Sequence, residues 1–206
     1  MFENVIDFFN TMKGEFHMIP SKRKQELMEL SQFIGNKYNE NVTPQLTVIC
    51  THNSRRSHIG QLWLAIGADF FDLESIKSFS GGTEATAFNP RAVAAMKRIG
   101  LDIKASNLND TNPAYQIKWN STMDPYVAFS KKYNESPNPK AGFGAIMVCT
   151  DADENCPLVA GADYRISLPY EDPKAFDDTD QEEKMYDERC RQIGREILFC
   201  CNQLLK

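Results

Sequence analysis

The sequence predicts an α/β fold: a four-stranded parallel sheet with helices on both faces, preceded by an added helical segment. From residue 46 onward, short runs of apolar and β-branched residues alternate with segments whose apolar residues recur at helical spacing. Residues 1–45 carry only the helical pattern. The chain has 206 residues, of which 42 % are hydrophobic and 25 % charged, so it is long enough to bury a sizeable core.

Charge and hydropathy argue against a nucleic-acid or a membrane partner. Lysine and arginine number 23 and aspartate and glutamate 28, so the net charge is −5 and no basic excess can neutralise phosphates. No stretch approaches the roughly 20 apolar residues that span a bilayer. Residues 1–16 lack the basic-then-apolar order of a signal peptide, so we expect a cytoplasmic protein. In that compartment its six cysteines would not form a structural disulfide framework.

Residues 1–45 are predicted to form two helices that extend a domain covering residues 46–206. Apolar residues of the first helix recur at helical spacing: Phe2, Ile6, Phe9 and Met12. Ser21 is predicted to cap the second helix. The apolar face of that helix consists of Leu27, Leu30, Ile34 and Tyr38. The polar stretch 39–44 then ends the helix and connects it to the domain.

The domain is predicted to alternate between strands and helices. Four strands are expected at residues 46–50, 76–80, 144–149 and 163–168. The helix after the first strand has an apolar face of Ile59, Leu62, Trp63 and Ile66. The next helix is bounded by Asn89 as N-cap, Pro90 at the first helical position and Gly100 after its end.

The C-terminal helix is predicted to begin with a capping box formed by Thr179 and Glu182. Its apolar face consists of Tyr186, Cys190, Ile193, Ile197, Cys201 and Leu204. We therefore interpret Cys190, Cys200 and Cys201 as buried core residues. Residues 111–142 interrupt the alternation and are predicted to be an insertion, in which 115–120 and 125–130 pair as a hairpin.

The segment 48–57, VICTHNSRRS, is typical of an oxyanion site. A buried strand ends at Cys50, and a helix begins at Arg56 after five intervening residues. Such a loop directs backbone N–H groups into one concavity, and Arg56 adds a bidentate fork for a tetrahedral oxyanion. The helix N-terminus and the arginines favour the thiolate of Cys50, which is then a nucleophile aimed at the central atom. The residues expected to bind the oxyanion are Thr51, His52, Asn53, Ser54, Arg55, Arg56 and Ser57.

A simpler interpretation of this segment stays open. Cys50 could be a buried cysteine in a strand-to-helix turn whose arginines lie at the surface. His52 and His58 are interpreted as ordinary polar residues of the loop and the helix. No metal-ligand spacing joins them to another histidine or cysteine cluster, so no metal site is predicted.

With this loop the chain resembles the low-molecular-weight protein-tyrosine phosphatase family, and most closely its thioredoxin-coupled arsenate reductase branch. The resemblance covers roughly residues 46–200. The segments that carry it are CTHNSRRS (50–57), FSGGTEATAFNPRAVAAMKRIGLDI (79–103), VCTDADENCP (148–157) and LPYEDP (168–173). It implies a flavodoxin-like, phosphotyrosine phosphatase I-like sheet. It also implies Cys50 as nucleophile and Arg56 as oxyanion ligand, with Ser57 steadying the thiolate and Asn53 and Ser80 holding the loop in shape.

The sequence departs from the family pattern at four positions. His52 stands where the family usually has glycine, so we expect a side-chain-bearing residue to make that loop conformation. Arg55 replaces a frequent cysteine. Gln61 and Asn109 stand where some reductases have carboxylates around a potassium ion, so the resemblance does not carry a potassium site over to this chain.

Cys149 and Cys156 complete the set of cysteines that the resemblance makes functional. Cys149 ends a predicted strand, and the carboxyl ends of parallel strands share one rim, so it should lie near Cys50. The resemblance implies that Cys50 attacks arsenate, that Cys149 attacks Cys50 and releases arsenite, and that Cys156 attacks Cys149. Thioredoxin would then reduce the Cys149–Cys156 disulfide. Cysteines carry both electrons, so no bound cofactor is expected.

Asp172 precedes Pro173 in a loop that matches the family's Asp-Pro loop, which supplies the general acid. A solvated turn is the simpler interpretation. Glu171 and Asp177 are the nearest alternative acids, and Asp151 and Asp153 lie between the two relay cysteines.

Three functions follow from these residues. The first is an arsenate reductase that uses Cys50, Cys149 and Cys156. The second is a protein-tyrosine or small phosphomonoester phosphatase that uses Cys50, Arg56 and Asp172 through a cysteinyl-phosphate. The third is a thiol redox sensor or oxyanion-binding protein that is not an enzyme. The second cysteine pair favours the reductase because hydrolysis does not need it.

Overall fold

A computed structural model describes residues 1–73, 76–107, 109–156 and 158–205, without the side chain of residue 155. Six helices are present there: α1 Glu3–Gly14, α2 Ser21–Asn39, α3 Arg56–Phe70, α4 Pro90–Ile99, α5 Thr150–Asn155 and α6 Glu182–Gln203. The strands are β1 Gln45–Cys50, β2 Lys77–Gly82, β3 Asp102–Ala105, β4 Tyr115–Lys118, β5 Tyr126–Ala128, β6 Phe143–Met147 and β7 Ala162–Ser167. Short 3₁₀ turns occupy Phe16–Met18 and Pro173–Phe176.

The main sheet confirms the predicted four parallel strands with helices around them. Its order is β2-β1-β6-β7. In the register, Cys50 lies beside Gly82, and Ile49 lies beside Met147. The carboxyl ends of the two central strands therefore meet at one rim, because all four strands run the same way. Strand β1 is buried along almost its whole length, as its apolar, β-branched sequence predicts.

One predicted pair of helix boundaries is confirmed and two predicted caps are wrong. Asn89 caps α4 by accepting a hydrogen bond from the Arg91 N–H at 2.9 Å, and Gly100 ends it with a φ of +115°. Helix α2 has Pro20, not Ser21, at its N-cap, because the Pro20 carbonyl already accepts the first helical bond.

The capping box expected at Thr179 and Glu182 is also absent, because α6 begins at Glu182 with Gln181 as its N-cap. The Glu182 carboxylate instead accepts hydrogen bonds from Arg91 at 2.6 Å and from the backbone of Asp178 at 2.7 Å.

The predicted hairpin is confirmed: β4 and β5 pair antiparallel. Strand β3 adds to it and forms a second, three-stranded sheet that the sequence did not reveal. Its four residues, DIKA, alternate in burial over too short a stretch to give a clear pattern. The boundaries of the proposed insertion and extension stay predictions.

The N-terminal helices pack on the α/β layer. Helix α1 lies against α6 and α4, and α2 lies against α6 and β7. Phe9 is fully buried, with its ring centroid 5.3 Å from that of Trp63 and 4.9 Å from that of Phe70. Leu27, Leu30 and Ile34 are fully buried as predicted, whereas Phe2, Ile6 and Tyr38 are half-buried.

The three C-terminal cysteines belong to the core, as predicted. Cys190, Cys200 and Cys201 are fully buried. Burial raises the pKa of Cys200 to about 12 and raises those of the other two as well. Such thiols are inert. None of the helices in the described part of the chain combines the length and the apolar character that a bilayer crossing requires.

Candidate active site

The loop between β1 and α3, residues 51–55, has its carbonyl groups bonded to the surrounding protein. Backbone N–H groups within 83–89 donate to three carbonyl oxygens at 2.8–3.2 Å, those of Cys50, Thr51 and Ser54. The carbonyl of His52 accepts from the hydroxyls of Thr86 and Ser130. The acceptors of the loop are thus turned away from its interior.

This arrangement leaves the loop's N–H groups available. In a trans peptide, each N–H points opposite to the preceding carbonyl. The N–H groups of 51–55 therefore point into the interior of the loop. No described residue accepts a hydrogen bond from them. Unbonded N–H groups gathered at the N-terminus of α3 can hold an anion.

Asn53 takes the special backbone conformation of the loop. Its φ is +44°, whereas His52, where we expected the glycine-like conformation, is not in the left-handed region. Asparagine adopts that region more readily than most residues do. Asn53 is also fully buried: its amide nitrogen donates to the Ser57 hydroxyl at 2.9 Å, and its oxygen accepts from the Lys131 N–H at 2.8 Å.

The thiol of Cys50 lies at the bottom of this loop. Only 4 % of the residue is exposed, and its Sγ lies 3.0 Å from Oγ of Ser57. Because Asn53 donates to that hydroxyl, the hydroxyl is oriented to donate to the sulfur. The Ser57 hydroxyl is thus the polar group held against the Cys50 sulfur.

Gly82, at the end of β2, lies against the same loop. A Cβ at this position would lie 2.5 Å from the Thr51 carbonyl oxygen and 2.7 Å from the Asn53 nitrogen. The backbone therefore approaches the loop more closely than any side chain would permit.

Arg56 connects the loop to the segment that carries Asp172. Its guanidinium donates to the Tyr170 carbonyl at 2.8 Å and to the Asp172 carboxylate at 2.7 Å. Asp172 also caps the 3₁₀ turn after it, by accepting from the Lys174 N–H at 3.0 Å. The structure therefore brings Arg56 and Asp172 into direct contact at the end of the loop that follows Cys50.

Arg55 belongs to a second set of contacts. Its Nε donates to the Tyr186 hydroxyl at 2.7 Å, and its Nη2 lies 3.3 Å from the Asp177 carboxylate. Tyr186 in turn donates to Asp177 at 2.7 Å. The guanidinium of Arg91 lies 3.7 Å from the Asp177 carboxylate. Asp177 is thus held by three partners, none of which is Arg56.

Cys149 lies one strand away from the loop 51–55, which we call the nucleophile loop because it follows the expected nucleophile Cys50. It follows β6, and continuing the register places it beside Thr51. The Thr51 hydroxyl lies 3.4 Å from its sulfur, which also accepts from the Ala152 N–H at 3.4 Å as the N-cap of α5. The residue is 1 % exposed. The two cysteines that we expected on one rim therefore lie at the ends of neighbouring strands.

Cys156 lies at the other end of α5 and is half-buried. Burial and the nearby Cys156 thiol together raise the pKa of Tyr133. Helix α5 is tied to β7 through Asp153: Ser167 donates to its carboxylate at 2.6 Å, and Arg165 donates to its carbonyl at 2.8 Å. Both thiols are free.

The remaining sequence candidates lie around these groups. Ser80 is buried, and its hydroxyl contacts Nδ1 of His58 at 3.4 Å rather than the loop itself. Gln61 donates to the Tyr126 hydroxyl at 2.7 Å, and Asn109 lies in an exposed turn. Glu171 is exposed and pairs with Arg189 at 3.2 Å. Among the described residues, no three His, Cys, Asp or Glu side chains are grouped to hold a metal.

Sequence reasoning missed two buried groups beside the loop. His58 is fully buried, its ring stacks on Phe88 at 4.1 Å, and burial lowers its pKa to about 3. Lys131 is 4 % exposed, and burial lowers its pKa to about 8. Lys131 comes from the distant hairpin segment, so no local spacing could have linked it to Asn53.

Comparisons with known proteins agree with this geometry. No protein-family model matches the chain. It is 30 % identical over 129 residues to arsenate reductase 2 of Staphylococcus epidermidis, which covers 61 % of this chain and 75 % of that protein. It is 28 % identical over 150 residues to the arsenate reductase of Bacillus subtilis, covering 72 % and 88 %. A low-molecular-weight phosphotyrosine phosphatase from Vibrio cholerae O395 has the same fold, with a TM-score of 0.54 at 12 % identity, covering 79 % of this chain and 97 % of that one.

The fold and the loop define an α/β protein with a cysteine and an arginine at the carboxyl rim of a parallel sheet. The relatives found by comparison identify the family. The chain belongs to the low-molecular-weight protein-tyrosine phosphatase family, and the curated relatives named above are arsenate reductases. It is an enzyme of that family, which disfavours the third function, a redox sensor or binding protein that is not an enzyme.

Proposed function

We propose that the protein is an arsenate reductase that uses Cys50, Cys149 and Cys156 in sequence. One observation carries the proposal: the Thr51 hydroxyl lies 3.4 Å from the Cys149 sulfur, so the second cysteine stands beside the nucleophile loop. A phosphatase has no use for a thiol at that place. The 30 % identity to a curated arsenate reductase supports the same choice.

The first step is displacement of water from arsenate. The anion binds to the N–H groups of 51–55 and to the guanidinium of Arg56. The thiolate of Cys50 attacks arsenic, a sulfur–arsenic bond forms, and one oxygen leaves as water after taking a proton from Asp172. Arsenic stays pentavalent in this step.

Reduction occurs when Cys149 attacks. Its thiolate bonds to the Cys50 sulfur, the sulfur–arsenic bond breaks, and its electron pair stays on arsenic, which leaves as trivalent arsenite. Cys156 then attacks the Cys149 sulfur and frees the Cys50 thiolate. An external dithiol, of which thioredoxin is the expected example, reduces the Cys149–Cys156 disulfide. The three thiols carry both electrons, so the proposal includes no bound cofactor, and it places the reaction in the cytoplasm.

Phosphatase activity is the second candidate, and the Arg56–Asp172 contact of 2.7 Å favours it. Hydrolysis of a phosphotyrosine or small phosphomonoester needs an anion ligand, a nucleophile and an acid, which Arg56, Cys50 and Asp172 would supply. The two activities share the first step, so one enzyme can have both.

A side-by-side assay tests the assignment. The purified chain is given arsenate with thioredoxin, thioredoxin reductase and NADPH, and separately p-nitrophenyl phosphate. We expect thioredoxin-dependent arsenite formation, which Cys50→Ser abolishes together with the phosphatase activity. Cys149→Ser should abolish repeated arsenate turnover and spare hydrolysis, whereas Cys200→Ala, at a buried cysteine outside the site, should spare both. Arsenite formation that survives in Cys149→Ser would disprove the relay.

A further inference from the structure

One arginine of the N-terminal segment reaches the segment that carries Asp172, which we call the acid loop (residues 168–173). Arg23, on α2, donates from its Nη2 to the Pro169 carbonyl at 2.9 Å. Its Nε lies 3.3 Å from the carboxylate of Glu196, and its guanidinium lies over the Tyr170 ring at 5.4 Å. Its side chain is 16 % exposed. Arg23 thus holds one face of the acid loop by a hydrogen bond and a ring contact.

Tyr170, the residue after Pro169, links the acid loop to Arg56. Tyr170 donates its N–H to the Val148 carbonyl at 3.1 Å, and its own carbonyl accepts from Arg56 at 2.8 Å. Arg56 also holds Asp172 at 2.7 Å. The carbonyl that Arg23 binds and the carbonyl that Arg56 binds therefore belong to consecutive residues, Pro169 and Tyr170.

The acid loop alternates between buried and exposed residues. Leu168 and Tyr170 are buried in the core, whereas Pro169 and Glu171 are exposed. A groove of about 650 Å³ lies beside Pro169, Tyr170 and Glu171 and extends to Pro20 at the start of α2. The hydrogen bond from Arg23 therefore restrains the loop at one of its exposed residues, where core packing does not.

Arg23 has two acidic partners, Glu26 at 3.2 Å and Glu196, and the second of these is strongly buried. The side chain of Glu196 is 3 % exposed, and burial raises its pKa, while the positive charge of Arg23 opposes that rise. A buried carboxylate needs a fixed cationic partner. Arg23 is therefore held in place by Glu196 at the same time as it holds Pro169.

We propose that Arg23 is a positioning residue that fixes the acid loop, so that the N-terminal helical segment takes part in catalysis. The inference rests on the proposed function, because it gives Asp172 the role of acid. When Arg23 is lost, Asp172 and Arg56 move relative to the leaving oxygen, and small displacements of this kind reduce rates strongly.

The test is the dependence of hydrolysis on the leaving group. Aryl phosphates with poor leaving groups, such as phenyl phosphate, need protonation by the acid, whereas p-nitrophenyl phosphate needs it much less. We expect Arg23→Gln to lower kcat/KM for phenyl phosphate by about tenfold more than for p-nitrophenyl phosphate, since a well-placed acid contributes roughly 10²–10⁴-fold in all. Inhibition by inorganic phosphate should change by less than about threefold, because the N–H groups of 51–55 are untouched.

Two further variants separate positioning from folding. Arg23→Lys keeps a charge for Glu196 but lacks the fork that serves two partners at once, so it should recover only part of the loss. Arg191→Gln is the matched control: this arginine also joins α6 to the N-terminal segment, through its ion pair with Glu15. It should lower kcat/KM equally for both substrates, if at all.

Hydrogen exchange of residues 168–173 gives a readout that does not depend on activity. Arg23→Gln should speed exchange there, and Arg191→Gln should not. Unchanged exchange, or a loss of rate that is the same for both aryl phosphates, would overturn the role of Arg23. The proposed function would fail differently, through activity that survives in Cys50→Ser.

Discussion

Arg56, the first residue of α3, and Asp172 form an ion pair, with Nη2 and Oδ2 2.7 Å apart. An oxyanion that binds the Arg56 guanidinium consequently arrives beside the Asp172 carboxyl. The geometry therefore places a bound anion next to the group that we propose as the proton donor.

Replacing Asp172 by Asn should slow hydrolysis of phenyl phosphate by roughly 10²–10⁴-fold, the usual contribution of a general acid. Glu171→Gln is the matched control, because this side chain is 88 % exposed and pairs with Arg189 instead. It should change kcat/KM by less than about twofold, as a surface ion pair contributes little. If the two variants were equally slow, the proton would have to come from another group.

A methyl group on Gly82 should distort the nucleophile loop. Its Cβ would lie 2.5 Å from the Thr51 carbonyl and 2.7 Å from the Asn53 nitrogen, so the loop backbone must move. We expect Gly82→Ala to weaken inhibition by inorganic phosphate by about tenfold or more, because the N–H groups of 51–55 no longer converge.

Gly35→Ala is the control for that experiment, because a Cβ there meets only Leu204, at 3.9 Å. It should leave phosphate inhibition unchanged. Wild-type inhibition in Gly82→Ala would show that the loop tolerates displacement.

The four strands and the cysteine–arginine loop could be predicted because their signals are local. Strand β1 is a short apolar run, and Cys50 and Arg56 occur within seven consecutive residues of one strand–loop–helix unit. The contacts that shape the loop are long-range and could not be predicted. Lys131 reaches Asn53 from the segment that follows β5, and Arg23 reaches Pro169 from the N-terminal segment. The cap expected at Ser21 was wrong because the helix begins one residue earlier, with the Pro20 carbonyl accepting its first hydrogen bond, and a local pattern does not fix a helix end to one residue.

The burial of His58 should make stability depend on pH. Burial lowers the pKa of His58 to about 3 in the folded state, against about 6.5 when the chain is unfolded. Between these values the unfolded state binds the proton and the folded state does not, so the free energy of unfolding falls as pH falls from 6.5 toward 3. The loss from this group should reach about 2 kcal/mol at pH 5.

Urea unfolding at pH 7 and pH 5 measures this loss. His58→Gln should remove it, although the variant is less stable at both pH values because the ring contact with Phe88 is lost. His17→Gln, at an exposed histidine, should keep the wild-type difference. An unchanged pH difference in His58→Gln would mean that other groups cause it.

The segment between Cys149 and Cys156 should change structure on oxidation. In the present structure it is helix α5, with Cys149 at its N-cap and Cys156 just beyond its end. Seven residues of helix rise about 10.5 Å, whereas a disulfide needs Cα atoms within about 7 Å. The Cys149–Cys156 disulfide can therefore form only when α5 unwinds. Hydrogen exchange across residues 148–156 should be faster in the oxidised protein than in the reduced one.

The contacts of Asp153 should oppose that unwinding. Its carboxylate accepts from Ser167 at 2.6 Å and pairs with Arg165, which ties α5 to β7. Asp153→Ala should therefore speed disulfide formation by about tenfold or more, since a hydrogen bond to a charged group contributes roughly 1.5–3 kcal/mol. Glu154→Gln, at an exposed position of the same helix, should leave the rate unchanged. Equal protection of 148–156 in both redox states, with the disulfide confirmed by mass, would show that the bond forms without unwinding and would refute the requirement derived from helix geometry.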